Sequence, residues 1–116
     1  MAKNFSVKFS GASYKVYSFD LYNFPGEWGE VAGVYLVARL DKNKNMVYPI
    51  YVGKTDNLKI RFSTHPKQAC FDKNNANVLG WISEANEQTR RSIETDLIDG
   101  LKPSCNDYFF LALWAI

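Results

Sequence analysis

The chain has 116 residues, 47% of them hydrophobic and 22% charged, with a formal net charge of +2. This length fits one domain, and this apolar fraction excludes an intrinsically disordered chain. The two cysteines, Cys70 and Cys105, have no metal-type spacing; two free thiols in a reducing cytosol are expected, with a disulfide as the alternative.

Phe5, Val7 and Phe9 alternate with Ser6, Lys8 and Ser10, the period-two pattern of a half-buried strand. Gly11-Ala12-Ser13 can turn, and Tyr14–Tyr22 reads as a second extended run. Asn23-Phe24-Pro25-Gly26 is a loop signal, so the first thirty residues form a hairpin leading into the main unit. Ala32–Leu40 carries little charge and reads as a central strand. Asp41–Asn45 is a polar turn, and Val47–Val52 returns as a strand in which Pro49 demands an edge position or a bulge.

Asp56 or Asn57 can cap a short helix from Leu58 to about His65, which Pro66 ends. Lys67–Asn77 has no period and reads as a polar loop, and Val78–Ile82 as a third core strand. Asn86 caps a longer helix whose Ile93, Leu97, Ile98 and Leu101 make one apolar stripe, with Gly100 and Pro103 marking its end. The sum is an α+β fold: a small, mainly antiparallel sheet of about three core strands, with an added N-terminal hairpin, a C-terminal strand and flanking helices. Tyr108–Ile116 is apolar but, at nine residues, too short to cross a bilayer as a helix. It reads as a buried or edge strand. The N-terminus lacks the apolar run of a secretory signal, and a cytoplasmic, membrane-free protein is expected.

Charge is unevenly spread. Residues 54–73 hold five basic side chains against two acidic ones, whereas 74–116 hold three against six. The middle of the chain is therefore the anion-facing part, and Lys54, Lys59, Arg61, His65 and Lys67 are the side chains expected to meet a polyanion. Arg61 offers a planar fork of donors suited to phosphate, and His65, four residues on, can exchange a proton or bond a phosphate. Glu94 sits at the border of the apolar stripe, where a carboxylate can face the sheet and still meet a hard cation. A Tyr at a strand rim near a cation and an Arg would have a lowered pKa, and Tyr35 and Tyr51 are both placed for this. Each residue also has a plain structural role: a solvated Glu, a surface Arg, a capping His, two core tyrosines.

The order of these parts is more specific than any one of them. Gly33-Val34-Tyr35, about sixteen residues, Tyr51-Val52-Gly53-Lys54, then Leu58-x-x-Arg61, Glu94 and Pro103-x-x-Asn106 resembles the GIY-YIG nuclease family. The resemblance covers about residues 32–106, with 1–30 and 107–116 as accessory strands of a single stand-alone domain. It departs at Val34 and Val52, where the family has Ile. It implies a divalent-metal-dependent endonuclease that hydrolyses phosphodiesters in duplex, branched or single-stranded DNA, selective for structure or single strands, of the kind used in repair or recombination. It implies that Tyr35 orients or deprotonates the attacking water and that Tyr51 lines the same pocket. Arg61 would hold the scissile phosphate, Glu94 would be the sole protein ligand of one Mg²⁺ or Mn²⁺, and Asn106 would brace the site. Lys54 and His65 match positions used in only some branches. The rival is a catalytically inactive nucleic-acid-binding or adaptor module on the same scaffold. A homodimer, or a partner protein that supplies targeting, is compatible with the apolar tail and the N-terminal hairpin. Exposed Tyr14, Tyr17, Phe71 or Trp81 could stack on unpaired bases.

Overall fold

The computed structural model describes residues 3–107. Its strands are β1 (Lys3–Ser10), β2 (Val16–Asn23), β3 (Gly33–Asp41), β4 (Met46–Thr55) and β5 (Val78–Ser83), and its helices are α1 (Leu58–Arg61), α2 (Gln68–Lys73) and α3 (Glu87–Leu101). The strands form one sheet in the order β1-β2-β5-β3-β4 with every neighbouring pair antiparallel. The α+β fold expected from the sequence is therefore observed, with five strands among the described residues. β5 returns between β2 and β3 and so joins the N-terminal hairpin to the β3–β4 hairpin.

Alternation along β3 explains its low charge. Val34, Leu36 and Ala38 face one core cluster, with Phe19, Leu21, Val52 and Leu97, while Tyr35 and Val37 face the other, with Leu58, Phe71 and Leu79. β3 is buried on both faces because β4 and β5 flank it and helices cover it, so apolar side chains suit both parities. Pro49 satisfies both conditions expected of it. β4 is a sheet edge, and the β3–β4 register shifts between Val37 and Ala38, leaving Ile50 as the extra residue between Tyr51 and Pro49. The bulge puts both Ile50 and Tyr51 against the Tyr35 side of the core.

α3 begins as its sequence suggests: the Asn86 side chain accepts the Thr89 N–H at 2.9 Å. It ends with Lys102 in the left-handed region at φ 48°. Leu97 is fully buried, with Ile93, Ile98 and Leu101 packed around it. Asp96 fastens the β1–β2 turn to this helix. Its carboxylate accepts the Ser13 N–H at 2.8 Å, the Ser13 hydroxyl at 2.6 Å and the Tyr17 hydroxyl at 2.7 Å.

Three local expectations are corrected. The first helix is a single turn, Leu58–Arg61, capped by Asn57 as expected but left at Phe62 rather than running to His65. Phe62 turns away because its ring packs at 5.0 Å from Tyr35. Lys67–Asn77 is not all loop, since α2 forms there around the buried Phe71. The cysteines are not free thiols: Cys70 on α2 and Cys105 after α3 are disulfide-bonded, their Cα atoms 6.0 Å apart. The expected C-terminal strand in Tyr108–Ile116 lies outside the described residues. Among the described residues no helix is long and apolar enough to cross a membrane.

Candidate active site

The two tyrosine–glycine phrases meet because Tyr35 pairs with Gly53 across β3 and β4. Paired residues project to the same face, so the Tyr35 ring lies over the place where a residue-53 side chain would stand. A Cβ there would collide with the Tyr35 ring and hydroxyl, which gives the glycine of the second phrase its reason. Gly33 does the same for the first phrase, since a Cβ there would strike the Ile82 carbonyl and the Trp81 ring. Tyr51, re-aimed by the bulge, stacks on Tyr35 with ring centroids 6.0 Å apart. The two phenols are therefore neighbours.

Tyr35 is fully buried, and two donors converge on its oxygen. Arg61 Nε donates to it at 3.2 Å, and His65 Nε2 lies 2.8 Å from it. The His65 tautomer follows from its other nitrogen. The Lys67 backbone N–H can only donate, and it lies 3.0 Å from Nδ1, so Nδ1 is the acceptor. Burial first, then Arg61 and Lys67, push the His65 pKa down to about 4, so the ring is neutral near pH 7. Its one proton is then on Nε2 and points at Tyr35.

This corrects one sequence expectation. Burial raises the Tyr35 pKa, and Tyr51 and Glu94 add to that, outweighing the lowering by Arg61. The neighbouring cation does not win because the ring is enclosed and its phenolate would have to be desolvated. Tyr35 therefore stays protonated at neutral pH. Arg61 is held above its ordinary value, first by its bond to Tyr35, with Tyr51 contributing further.

Glu94 lies on α3, half-buried, and within electrostatic reach of Tyr35, Lys54 and Arg61. Its pKa is raised, burial being the largest cause, while the Lys54 ammonium and backbone N–H and the Arg61 charge pull the other way. The Lys54 ammonium itself goes to Glu87 at 3.0 Å. Glu87, which also pairs with buried Arg90 at 2.7 Å and with Arg91 at 3.6 Å, is held below its ordinary pKa, first by Lys54. Sequence reading passed over Glu87 and gave Arg90 no role. Their signal was the i,i+3 and i,i+4 spacing of acid to base in the first turns of α3. An open concavity of about 500 Å³ lies against this group, lined by Lys54, Thr55, Asn57, Arg61, Thr64 and Glu87 among others.

Asn106 clips the β4 edge beside these residues. Its Oδ1 accepts the Val52 N–H and its Nδ2 donates to the Val52 carbonyl, both at 2.9 Å. Cys105 N–H adds a bond to the Ile50 carbonyl at 2.8 Å, and the disulfide ties this segment to α2. The chain after α3 thus supplies the hydrogen bonds that an edge strand would otherwise leave to water.

Tyr35, Tyr51, Arg61, His65, Glu94, Lys54 and Asn106 are therefore gathered around one end of the β3–β4 hairpin. Of the side chains expected at a polyanion, Lys59 is exposed, Lys67 pairs with Asp107 at 2.8 Å, and His65 is buried behind Tyr35. Phe71 and Trp81 are core residues, 0% and 8% exposed, and are not stacking platforms. Tyr14 is exposed at the hairpin turn, and Tyr17 is bonded to Asp96.

Among the described residues no three His, Cys, Asp or Glu side chains gather as a metal cluster. A magnesium-type ion takes one or two carboxylates and keeps its water. Glu94 fits such an ion. It is a hard oxygen donor whose negative charge is penalised by burial, and a bound cation would relieve that penalty.

The chain is similar to the UvrABC system protein C of Aquifex aeolicus (strain VF5), 36% identical over 83 residues. The matched segment is 66% of this chain and 14% of that protein. No family model matches the chain, and no solved structure gives a significant match.

Proposed function

We propose that this chain is a GIY-YIG-type endonuclease domain that hydrolyses phosphodiesters in DNA. The observation that carries this reading is the convergence of Arg61 and His65 on the Tyr35 hydroxyl, with Glu94 in electrostatic reach. The ordered motifs from Gly33 to Asn106 support it, as does the 83-residue likeness to UvrABC system protein C, which favours a nuclease relationship and DNA as the polymer.

In this reading the scissile phosphate enters the concavity beside Arg61. Arg61 Nε is bonded to Tyr35, so the terminal guanidinium nitrogens meet the non-bridging oxygens and stabilise the charge that develops on them. Tyr35 is fully buried, so its hydroxyl acts here by positioning the Arg61 guanidinium rather than by touching the attacking water. His65 holds that orientation and stays neutral. Asn106 keeps β4, and with it Tyr51 and Gly53, in register with β3. Glu94 would hold a Mg²⁺ or Mn²⁺, and such a cation, when bound, supplies charge stabilisation at the leaving oxygen.

The test is a cleavage panel on duplex, branched and single-stranded DNA, with Mg²⁺, with Mn²⁺ and with chelator. Cleavage should need the metal, and Arg61→Ala should lower it by about 10²–10³-fold. DNA binding without cleavage under any condition would replace this reading with the inactive adaptor module.

A further inference from the structure

α1 is only one turn long, and concavities lie on both of its sides. One is the Arg61 concavity described above. The other, about 410 Å³, is lined by Gly26, Glu27, Trp28, Lys59, Phe62 and Ser63. We infer that this second concavity takes one unpaired nucleobase from the strand whose phosphate lies at Arg61. The inference rests on the nuclease reading and names a structural preference for it.

Five observations favour a base over other occupants. Two aromatic rings, Trp28 and Phe62, form its walls at 6.2 Å and an angle of 57°, and both are only half-buried. They touch each other as a tilted pair, and the ring surface they leave exposed forms a notch at the concavity. One face of Trp28 is stacked against Phe24 at 6.4 Å, which holds the indole in place. A flat, held ring is the platform on which bases of any sequence stack. The volume is that of a small-ligand pocket, roughly 300–1,000 Å³. Phe62 follows Arg61 directly in the chain, so a nucleotide whose phosphate is at Arg61 has its base within reach of this notch. The charges also discriminate. Exposed Lys59 can meet the backbone phosphate, while exposed Glu27 repels a second phosphate and can accept from an exocyclic amino group. The lining therefore suits a neutral heterocycle on an anionic backbone.

The subsite predicts selectivity for DNA carrying an extrahelical or mispaired base, where unstacking costs least. The test uses two duplexes, one fully paired and one with a single extrahelical 2-aminopurine, with chelator present so that binding is read without cleavage. The wild-type protein should bind the second duplex about tenfold more tightly and quench its 2-aminopurine fluorescence by stacking. Trp28→Leu, which keeps apolar bulk but removes the indole face, should bind both duplexes alike and leave the probe bright, with an unchanged circular dichroism spectrum. Equal binding of the two duplexes by the wild type, without quenching, overturns the subsite and leaves the nuclease reading intact. A protein that neither binds nor cuts any DNA overturns both. Retained preference and quenching in folded Trp28→Leu also overturn the subsite.

Discussion

His65 ties the stability of the fold to pH through a group that also orients the Tyr35 hydroxyl. In the unfolded chain an imidazole takes its proton near pH 6.5; in the native protein burial, Arg61 and Lys67 delay that to about 4. Between those values the unfolded chain binds a proton that the native chain refuses, so stability rises with pH across the window. His65 thus contributes its full share above about 6.5 and loses it progressively as pH falls to about 4. A difference of that size corresponds to about 3 kcal/mol. His65 is 7% exposed but lies near the protein surface beside charged Arg61 and Lys67, so solvent screening makes this figure an upper bound. Other groups act in overlapping ranges. The depressed Glu87 and Asp96 lose their contribution only below their unfolded values, and the raised Glu94 works in the opposite sense, gaining stability as pH falls. A difference measurement isolates His65. His65→Gln keeps an N–H donor near the Nε2 position but cannot titrate. Urea unfolding at pH values from about 4 to 7 should show wild-type stability falling more than that of the variant, by up to about 3 kcal/mol. Parallel curves for the two proteins would refute the assignment of a neutral, enclosed His65.

Two further outcomes follow from the packing around the site. Gly53→Ala places a methyl group into the Tyr35 ring, and neither the sheet nor the stacked Tyr51 can easily yield. The variant should be less stable by about 1–3 kcal/mol in urea unfolding and should cleave poorly even where folded. Removing the Cys70–Cys105 cross-link by Cys70→Ser with Cys105→Ser, or by reductant, opens a loop with a sequence separation of 35. The loss should be about 2–4 kcal/mol in the same assay, and wild type and double variant should converge under reductant.

The parts of the fold that could be read in advance were those fixed by local chemistry. Asn57 and Asn86 cap their helices because each side chain reaches a backbone N–H three residues on. Pro49 forced an edge and a bulge because it lacks a donor for the ladder. The parts that could not be read depend on what distant segments bring. α2 spans six residues with only Phe71 buried, too short for any apolar period to show. The Cys70–Cys105 pair and the Asp96 link to Ser13 and Tyr17 join segments far apart in the chain, with no spacing signal. The site residues were legible as a set of types in order. What was missed was the balance of forces on Tyr35: a nearby Arg argued for a lowered pKa, and only the enclosure of the ring reverses it. Glu87 was overlooked for a related reason, since its importance comes from Lys54 crossing from β4 to meet it.

In the proposed function, Glu94 on α3 makes this site a metal-dependent phosphodiesterase. Its most direct test is the single-turnover cleavage rate of wild type and Glu94→Gln in Mg²⁺, with folding checked by circular dichroism. Glutamine keeps the shape and removes the charge, so the rate should fall by at least about 10²-fold while the fold is unchanged. A folded Glu94→Gln protein that cuts at the wild-type rate would contradict the account.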